Sequence, residues 1–133
     1  SWQAVLAALP QTLAIAAILS VNNASDMTGD AEAGRKTLAI VLGQAGAETL
    51  VYIEGLLGLL GYGILAFLGI LPPLTGWLVI PAAVFILLEY AHMHQRGYSH
   101  DTKGPNMQSI SKIFIIQSLI PMLGLLWGIL FRP

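Results

Sequence analysis

The stretch WQAVLAALPQTLAIAAILSV, residues 2–21, contains twenty residues and no charged side chain. An α-helix needs about 20 mainly apolar residues to cross the hydrocarbon core of a bilayer. Three more apolar stretches follow at residues 47–71, 75–92 and 110–131. Because a segment in lipid must satisfy its own backbone hydrogen bonds, we predict that all four are membrane-spanning helices.

The composition of the whole chain supports this prediction. Apolar residues make up 56 % of the 133 residues and charged residues only 10 %, whereas a soluble domain carries about 25 % charged residues. A chain of this size cannot hide so much apolar surface in its own core. We therefore predict an all-α fold, a polytopic transmembrane bundle of about four spans in the lipid bilayer. The net charge of −1 offers no basic field for nucleic acid.

The connections between the predicted spans differ in polarity. Residues 22–46 and 95–109 are polar, whereas Pro72 and Pro73 mark a tight apolar turn because two prolines cannot continue a helix. Basic residues lie in or beside the two polar connections: Arg35, Lys36, Arg96, Lys103 and Lys112. Only Arg132 falls on the opposite side. The positive-inside rule therefore predicts that both polar connections face the cytoplasm of an integral cell-membrane protein.

A short apolar segment lies inside the first polar connection. Residues 37–42 are too few to span a membrane, and Gly43 follows them as a plausible helix C-cap. A lone strand at lipid would have no partner for its backbone. We therefore expect a short interfacial helix on the cytoplasmic side of the bundle.

Two aspartates follow the first span directly, in the segment NNASDMTGDAEAGRKT at residues 22–37. Asp26 and Asp30 are four residues apart, so on a helical turn they project from one face with Cβ atoms about 5–6 Å apart. Two carboxylates this close repel each other unless a cation lies between them. Mg²⁺ takes oxygen ligands from one or two carboxylates and completes its shell with substrate phosphates and water.

The same segment supplies groups that suit a phosphate. Arg35 can bind phosphate oxygens bidentately, and Lys36 can bind them as a point charge. The amides of Asn22 and Asn23 can orient a carboxylate, a metal-bound water or a phosphate oxygen. On spacing alone, a Mg²⁺–diphosphate site and a solvated acidic-then-basic loop explain the segment equally well.

The pattern N-N-x-x-D-x-x-x-D-x-x-x-G-R-K-T-L-A, residues 22–39, resembles the second aspartate-rich motif of the UbiA-type prenyltransferase superfamily. It is most similar to the 1,4-dihydroxy-2-naphthoate branch, which serves menaquinone biosynthesis. The resemblance implies about nine transmembrane helices around a central cavity. It also implies transfer of a prenyl group from an allylic prenyl diphosphate to an aromatic acceptor, naphthoate-like or benzoate-like, with Mg²⁺ and an aspartate-rich motif in each half.

Matching positions carry the family's roles onto this sequence. Asp26 and Asp30 would be catalytic Mg²⁺ ligands, and the groups that would contact or orient the diphosphate are Asn22, Asn23, Arg35 and Lys36. The chain departs from the branch at Ser25, where that branch commonly carries Arg. No first motif is present, because the one remaining aspartate is Asp101. We therefore interpret residues 1–133 as the C-terminal half of the enzyme, inactive without an N-terminal half.

Three further polar residues are possible second-tier site residues. Glu54 lies inside the second span, where an ionisable group is costly and is either functional or held by a structural partner. Asp101 and Lys103 belong to the last polar connection, which by resemblance lies near the cavity mouth. A solvated loop explains these two residues as well.

Two other functions remain open from the sequence. The missing first motif also fits a non-catalytic membrane module that binds an isoprenoid or serves as a structural partner. A transporter fragment would place Asp26, Asp30 and Glu54 on an ion path, and inverted repeats or broken helices would support it.

Overall fold

The computed structural model describes residues 1–131, and every regular element among them is an α-helix. The helices are α1 Trp2–Ser25, α2 Met27–Glu32, α3 Leu38–Phe67, α4 Pro73–Arg96 and α5 Lys103–Leu130. All except α2 are long and apolar enough to cross a membrane. The predicted all-α bundle of four spans is confirmed. Arg132, which entered the orientation argument, lies outside the described residues.

The four long helices form a ring. Helix α1 packs against α3 and α5, and α4 closes the ring by packing against the same two helices. At one end, Lys103 contacts Asp26, so the α1–α3 and α4–α5 connections lie together. We call this end, formed by residues 26–37 and 97–103, the motif end. At the opposite end, Gly128 of α5 lies against Pro72 in the α3–α4 turn.

Both polar connections are shorter than the sequence predicted. Helix α1 continues to Ser25, so the prediction that placed Asn22 and Asn23 in a loop was wrong. The Asp26 amide still donates to the Asn22 carbonyl at 3.1 Å, which shows that polar side chains do not end the helix. Likewise α5 begins at Lys103, and Pro105 lies in its first turn, where the missing N–H of proline has no intrahelical acceptor to lose.

The second span ends before the proline pair rather than at residue 71. Helix α3 stops at Phe67, and Gly69 adopts a φ of 70°. The Gly69 amide donates to the Ala66 carbonyl at 3.1 Å, and the Ile70 amide donates to the Leu65 carbonyl at 2.9 Å. These two bonds form a Schellman motif, which ends a helix by satisfying its last carbonyls. The glycine, not the prolines, therefore sets this boundary.

The short helix predicted over residues 37–42 is present as the first part of α3. The Thr37 hydroxyl caps it by accepting from the Ile40 amide at 3.3 Å. Gly43, with a φ of 71° and a ψ of 174°, then breaks the helical geometry before the long part of α3. The predicted C-terminal glycine is confirmed, while the location of this segment at the membrane surface stays a prediction.

Neutral side chains connect the helices within the bundle. The Tyr62 hydroxyl donates to the Gln11 Oε1 at 2.7 Å, and the Gln11 Nε2 donates to the Ser118 Oγ at 2.8 Å. These three residues, the interior polar chain, join α3, α1 and α5. Gln117 adds a second link, because its Nε2 donates to the Gly55 carbonyl at 2.7 Å. Such interhelical hydrogen bonds supplement close packing, since lipid provides little hydrophobic force between helices.

Candidate functional site

The two motif aspartates lie at the junction of α1 and α2. Asp26 ends α1 and caps α2, and its carbonyl accepts the Asp30 amide at 2.9 Å. The aspartates are therefore one helical turn apart, as their spacing predicts. Gly34, with a φ of 72°, turns the chain after α2. The Arg35 amide then donates to the Asp30 carbonyl at 2.8 Å, which returns Arg35 to the aspartates.

Asp26 and Asp30 share one cavity of about 550 Å³ at the motif end, the aspartate cavity. Its wall comes from α1, α2, the turn after α2, Gln44 of α3, and the α4–α5 loop. The chemically distinctive lining residues are Ser25, Asp26, Asp30, Arg35, Gln44, Tyr98 and His100. Segments from both connections therefore enclose the two carboxylates.

Each carboxylate already has a cationic partner. Lys103 Nζ donates to Asp26 Oδ2 at 2.5 Å, and His100 Nδ1 lies 3.8 Å from Asp26 Oδ1. Arg35 Nη1 donates to Asp30 Oδ1 at 3.1 Å. The Arg35 side chain is 72 % exposed and the Asp30 side chain only 11 %. The cation can thus move away into solvent, whereas the carboxylate stays in the wall.

Hydrogen bonds in the α4–α5 loop fix the position of the Lys103 backbone. Gly97 ends α4 with a φ of 70°, and its carbonyl accepts from the Thr102 Oγ1 at 2.9 Å and the Asn106 Nδ2 at 2.8 Å. Arg96 Nε donates to the Asn106 Oδ1 at 3.0 Å. These bonds tie the end of α4 to the start of α5, so Lys103 reaches Asp26 from a braced backbone.

Tyr98 is the buried residue of this loop. It is 7 % exposed, and its carbonyl accepts from the Gln44 Nε2 at 3.1 Å, which joins the loop to α3. Burial raises the pKa of Tyr98 to about 12, so the phenol stays neutral at physiological pH. Tyr98 therefore lines the cavity without adding a charge.

The other predicted site residues lie elsewhere. Asn22 is half-buried one turn before Asp26, and Asn23 faces a small space between α1 and α3. Neither asparagine lines the aspartate cavity, and the same is true of the exposed Lys36.

Of the three second-tier candidates, the structure brings only Lys103 to the aspartates. Asp101 is exposed and does not line the cavity. Glu54 lies within the bundle, where its Oε2 is buried without a hydrogen-bond partner among the described residues. Sequence reasoning did not select Gln44, Tyr98 or His100, because no local spacing relates them to the aspartates.

The donor set of the aspartate cavity suits Mg²⁺ bound together with a phosphate. Residues 1–131 contain no group of three or more histidine, aspartate or glutamate side chains that could hold a metal alone. Two carboxylates in one cavity match the way Mg²⁺ binds through one or two carboxylates plus substrate phosphates. Asp26 and Asp30 are the residues that would hold it.

Comparison with known proteins identifies the family. The sequence model of the UbiA prenyltransferase family matches residues 1–116, which include α1 to α4, half of α5 and all residues of the aspartate cavity. Neither the curated proteins nor the solved structures contain a match. The matched segment covers most of the 133 residues. The chain is therefore an integral membrane protein that belongs to the UbiA prenyltransferase family.

Proposed function

We propose that this chain is the half of a Mg²⁺-dependent prenyltransferase that carries the second aspartate-rich motif. The enzyme would transfer a prenyl group from an allylic prenyl diphosphate to an aromatic acceptor in membrane quinone biosynthesis. The observation that carries the proposal is that Asp26 and Asp30 line one cavity, each paired with a displaceable cation. Membership of a prenyltransferase family supports the same reaction class.

The residues of the cavity suit departure of a diphosphate. Asp26 and Asp30 would hold Mg²⁺, which supplies positive charge to the leaving oxygens as the allylic C–O bond breaks. Arg35 lines the cavity and presents a planar guanidinium that fits phosphate oxygens. The electron pair of the broken bond leaves with the diphosphate. An electron-rich ring carbon of the acceptor then captures the allylic cation, and the proton on that carbon leaves to the released diphosphate or to water, which restores the aromatic ring.

The acceptor that we propose is a naphthoate-like or benzoate-like ring. The menaquinone branch is favoured by the motif, although Ser25 replaces the arginine common there. Ser25 is 4 % exposed in the cavity wall and adds no charge. An acceptor carboxylate would therefore need a cation other than this residue, and Arg35 is present in the same wall.

We also propose that the motif end faces the cytoplasm and that an N-terminal half with the first aspartate-rich motif completes the cavity. The basic residues of both polar connections support the orientation. Two carboxylates with a diphosphate leave room in the Mg²⁺ shell for oxygen ligands from another segment.

Mg²⁺-dependent binding of geranyl diphosphate to the detergent-purified chain tests this proposal. Calorimetry would compare the wild type with Asp26→Asn/Asp30→Asn, with and without Mg²⁺, alone and mixed with a candidate N-terminal half. We expect the double variant to bind about 100-fold more weakly or worse, because two charged contacts worth about 1.5–3 kcal/mol each are lost. Glu32→Gln, an exposed carboxylate on α2, is the matched control and should bind like the wild type.

Failure of the wild type to bind geranyl diphosphate with Mg²⁺ in either format, from protein shown to be folded, would contradict the enzyme. That result would favour the non-catalytic membrane module. Equal loss of binding in Glu32→Gln would also contradict the proposal. Binding would then depend on the net charge of α2 and not on the two aspartates of the cavity.

A further inference from the structure

We propose that Lys103 binds Asp26 in the absence of ligands and binds the diphosphate when Mg²⁺ and diphosphate are both present. Metal and diphosphate would then each favour binding of the other. This inference rests on the proposed function. It adds a diphosphate ligand at the start of α5 and a coupling between the metal affinity and the diphosphate affinity. It starts from the 2.5 Å contact between Lys103 Nζ and Asp26 Oδ2, which joins residues 77 positions apart.

The location of Lys103 suits an exchange between two partners. Its side chain is 31 % exposed, and its Nζ makes no second hydrogen bond among the described residues. The backbone is braced, because Asn106 and Thr102 are both bonded to the Gly97 carbonyl. A lysine has a flexible four-carbon stem and three rotatable donors. Its ammonium group can therefore leave Asp26 by side-chain rotation while α5 stays in place.

The charges explain why the exchange needs both ligands. Asp26 and Asp30 carry two negative charges, and Lys103 and Arg35 balance them with two positive charges. A divalent cation alone would have to displace both basic side chains and then lie beside them. A diphosphate alone would attract the two basic side chains but meet the two carboxylates. With both ligands present, the carboxylates face the metal and the basic side chains face the phosphates.

Each ligand thus removes the charge that opposes the other. Such coupling is reciprocal, so diphosphate must strengthen metal binding by the same factor by which metal strengthens diphosphate binding. Arg35 takes part from within the motif segment, only five residues after Asp30. Lys103 differs because it carries the exchange to α5 and so links the α4–α5 loop to occupancy of the cavity.

The test uses Mg²⁺ and inorganic pyrophosphate as probes with the whole chain in detergent. Calorimetry measures Mg²⁺ binding without pyrophosphate, and pyrophosphate binding at saturating Mg²⁺, for the wild type and Lys103→Met. The variant should bind Mg²⁺ alone several-fold more tightly, because a competing cation is gone. It should bind pyrophosphate about 10-fold more weakly, because one charged contact is lost. Opposite shifts in the two affinities are the signature of the exchange.

Two further variants serve as controls. Lys112→Met removes another lysine of α5, one whose Nζ lies 3.3 Å from Glu89 and far along the helix from the cavity. It should leave both affinities unchanged. Lys103→Arg keeps the charge and should restore most of the pyrophosphate affinity that Lys103→Met loses.

The outcomes separate this inference from the proposed function. Shifts of the two affinities in the same direction, or no shift in Lys103→Met, overturn the inference while Mg²⁺-dependent pyrophosphate binding by the wild type stands. Wild-type protein that binds no pyrophosphate even with Mg²⁺ overturns the proposed function and the inference together. A Lys103→Met protein that unfolds is replaced by Lys103→Gln, which also removes the charge, and its two affinities must shift in opposite directions for the inference to stand.

Discussion

The motif end and the membrane interior use polar side chains in different ways. At the motif end, Lys103 and Asp26 form a charged pair whose members are partly exposed. In the interior polar chain, Tyr62, Gln11 and Ser118 are neutral and meet one another inside the bundle. A charged pair at the membrane surface competes with water and ligands, whereas a polar group within the bilayer has no such alternative. The Lys103–Asp26 pair can therefore exchange with ligands at the site, whereas the interior polar chain holds the helices together.

The motif end and the membrane interior also differ in how tightly their glycines are packed. In the interior, Gly55 lies against the Tyr90 hydroxyl, where the helices approach so closely that a side chain has no room. At the motif end, a Cβ on Gly29 or Gly34 would meet nothing within 4 Å. The interior is thus sensitive to added atoms, while the motif end leaves space in which side chains and ligands can move.

The largest expected effect on stability comes from filling the interior contact. In Gly55→Ala the new methyl group collides with the Tyr90 hydroxyl and comes within 2.9 Å of the ring Cζ. Overpacking of this kind costs about 2 kcal/mol, to be measured by SDS-induced unfolding in mixed micelles. Gly63→Ala is the matched control on α3, since its methyl group meets only the Val79 Cγ2 at 3.9 Å. Equal stabilities of the two variants would show that the interior is no more sensitive to added atoms at Gly55 than at Gly63.

A smaller effect is expected from breaking the interior polar chain. Tyr62→Phe removes the hydrogen bond to Gln11 and keeps the ring. Interhelical hydrogen bonds in membranes average about 0.6 kcal/mol, so the free energy of unfolding should fall by that amount. Thr12→Val is the control, because the Thr12 hydroxyl donates to the Ala8 carbonyl in its own helix. A loss in Thr12→Val as large as in Tyr62→Phe would show that the interhelical bond has no special weight.

The smallest effect is expected at an ion pair that joins α4 and α5 away from the motif end. Glu89→Gln weakens the 3.3 Å contact with Lys112, in which the lysine side chain is 57 % exposed and the Glu89 side chain 12 % exposed. An ion pair whose cation is open to solvent contributes about 0.5 kcal/mol or less, and salt screens it. The difference in unfolding free energy between variant and wild type should therefore shrink as salt is raised. A salt-independent fall in unfolding free energy larger than that of Tyr62→Phe would show that this ion pair stabilises the bundle more than the interior hydrogen bond does.

Spans and motif could be predicted because both are local. Four apolar stretches are enough to predict four helices, since lipid leaves the backbone no other way to satisfy its hydrogen bonds. The spacing of Asp26 and Asp30 predicts neighbours on one helical turn, which the structure confirms. Helix ends were less predictable, because polarity marks where a segment leaves the membrane and not where its hydrogen bonding stops. Helix α1 therefore continues to Ser25 beyond the predicted end.

By itself, then, the sequence determined the membrane class, the four spans, and the aspartates with Arg35 close behind them, because composition and helical period act over a few residues. Only the tertiary structure decided which distant side chains join them. Tyr98 and His100 line the aspartate cavity and Lys103 contacts Asp26, because the ring of helices brings the α4–α5 loop over the end of α1. Gln44 lines the same cavity from α3. Asn23 is turned toward α3 by the same packing. Such contacts depend on how helix ends meet in space, which no local spacing records.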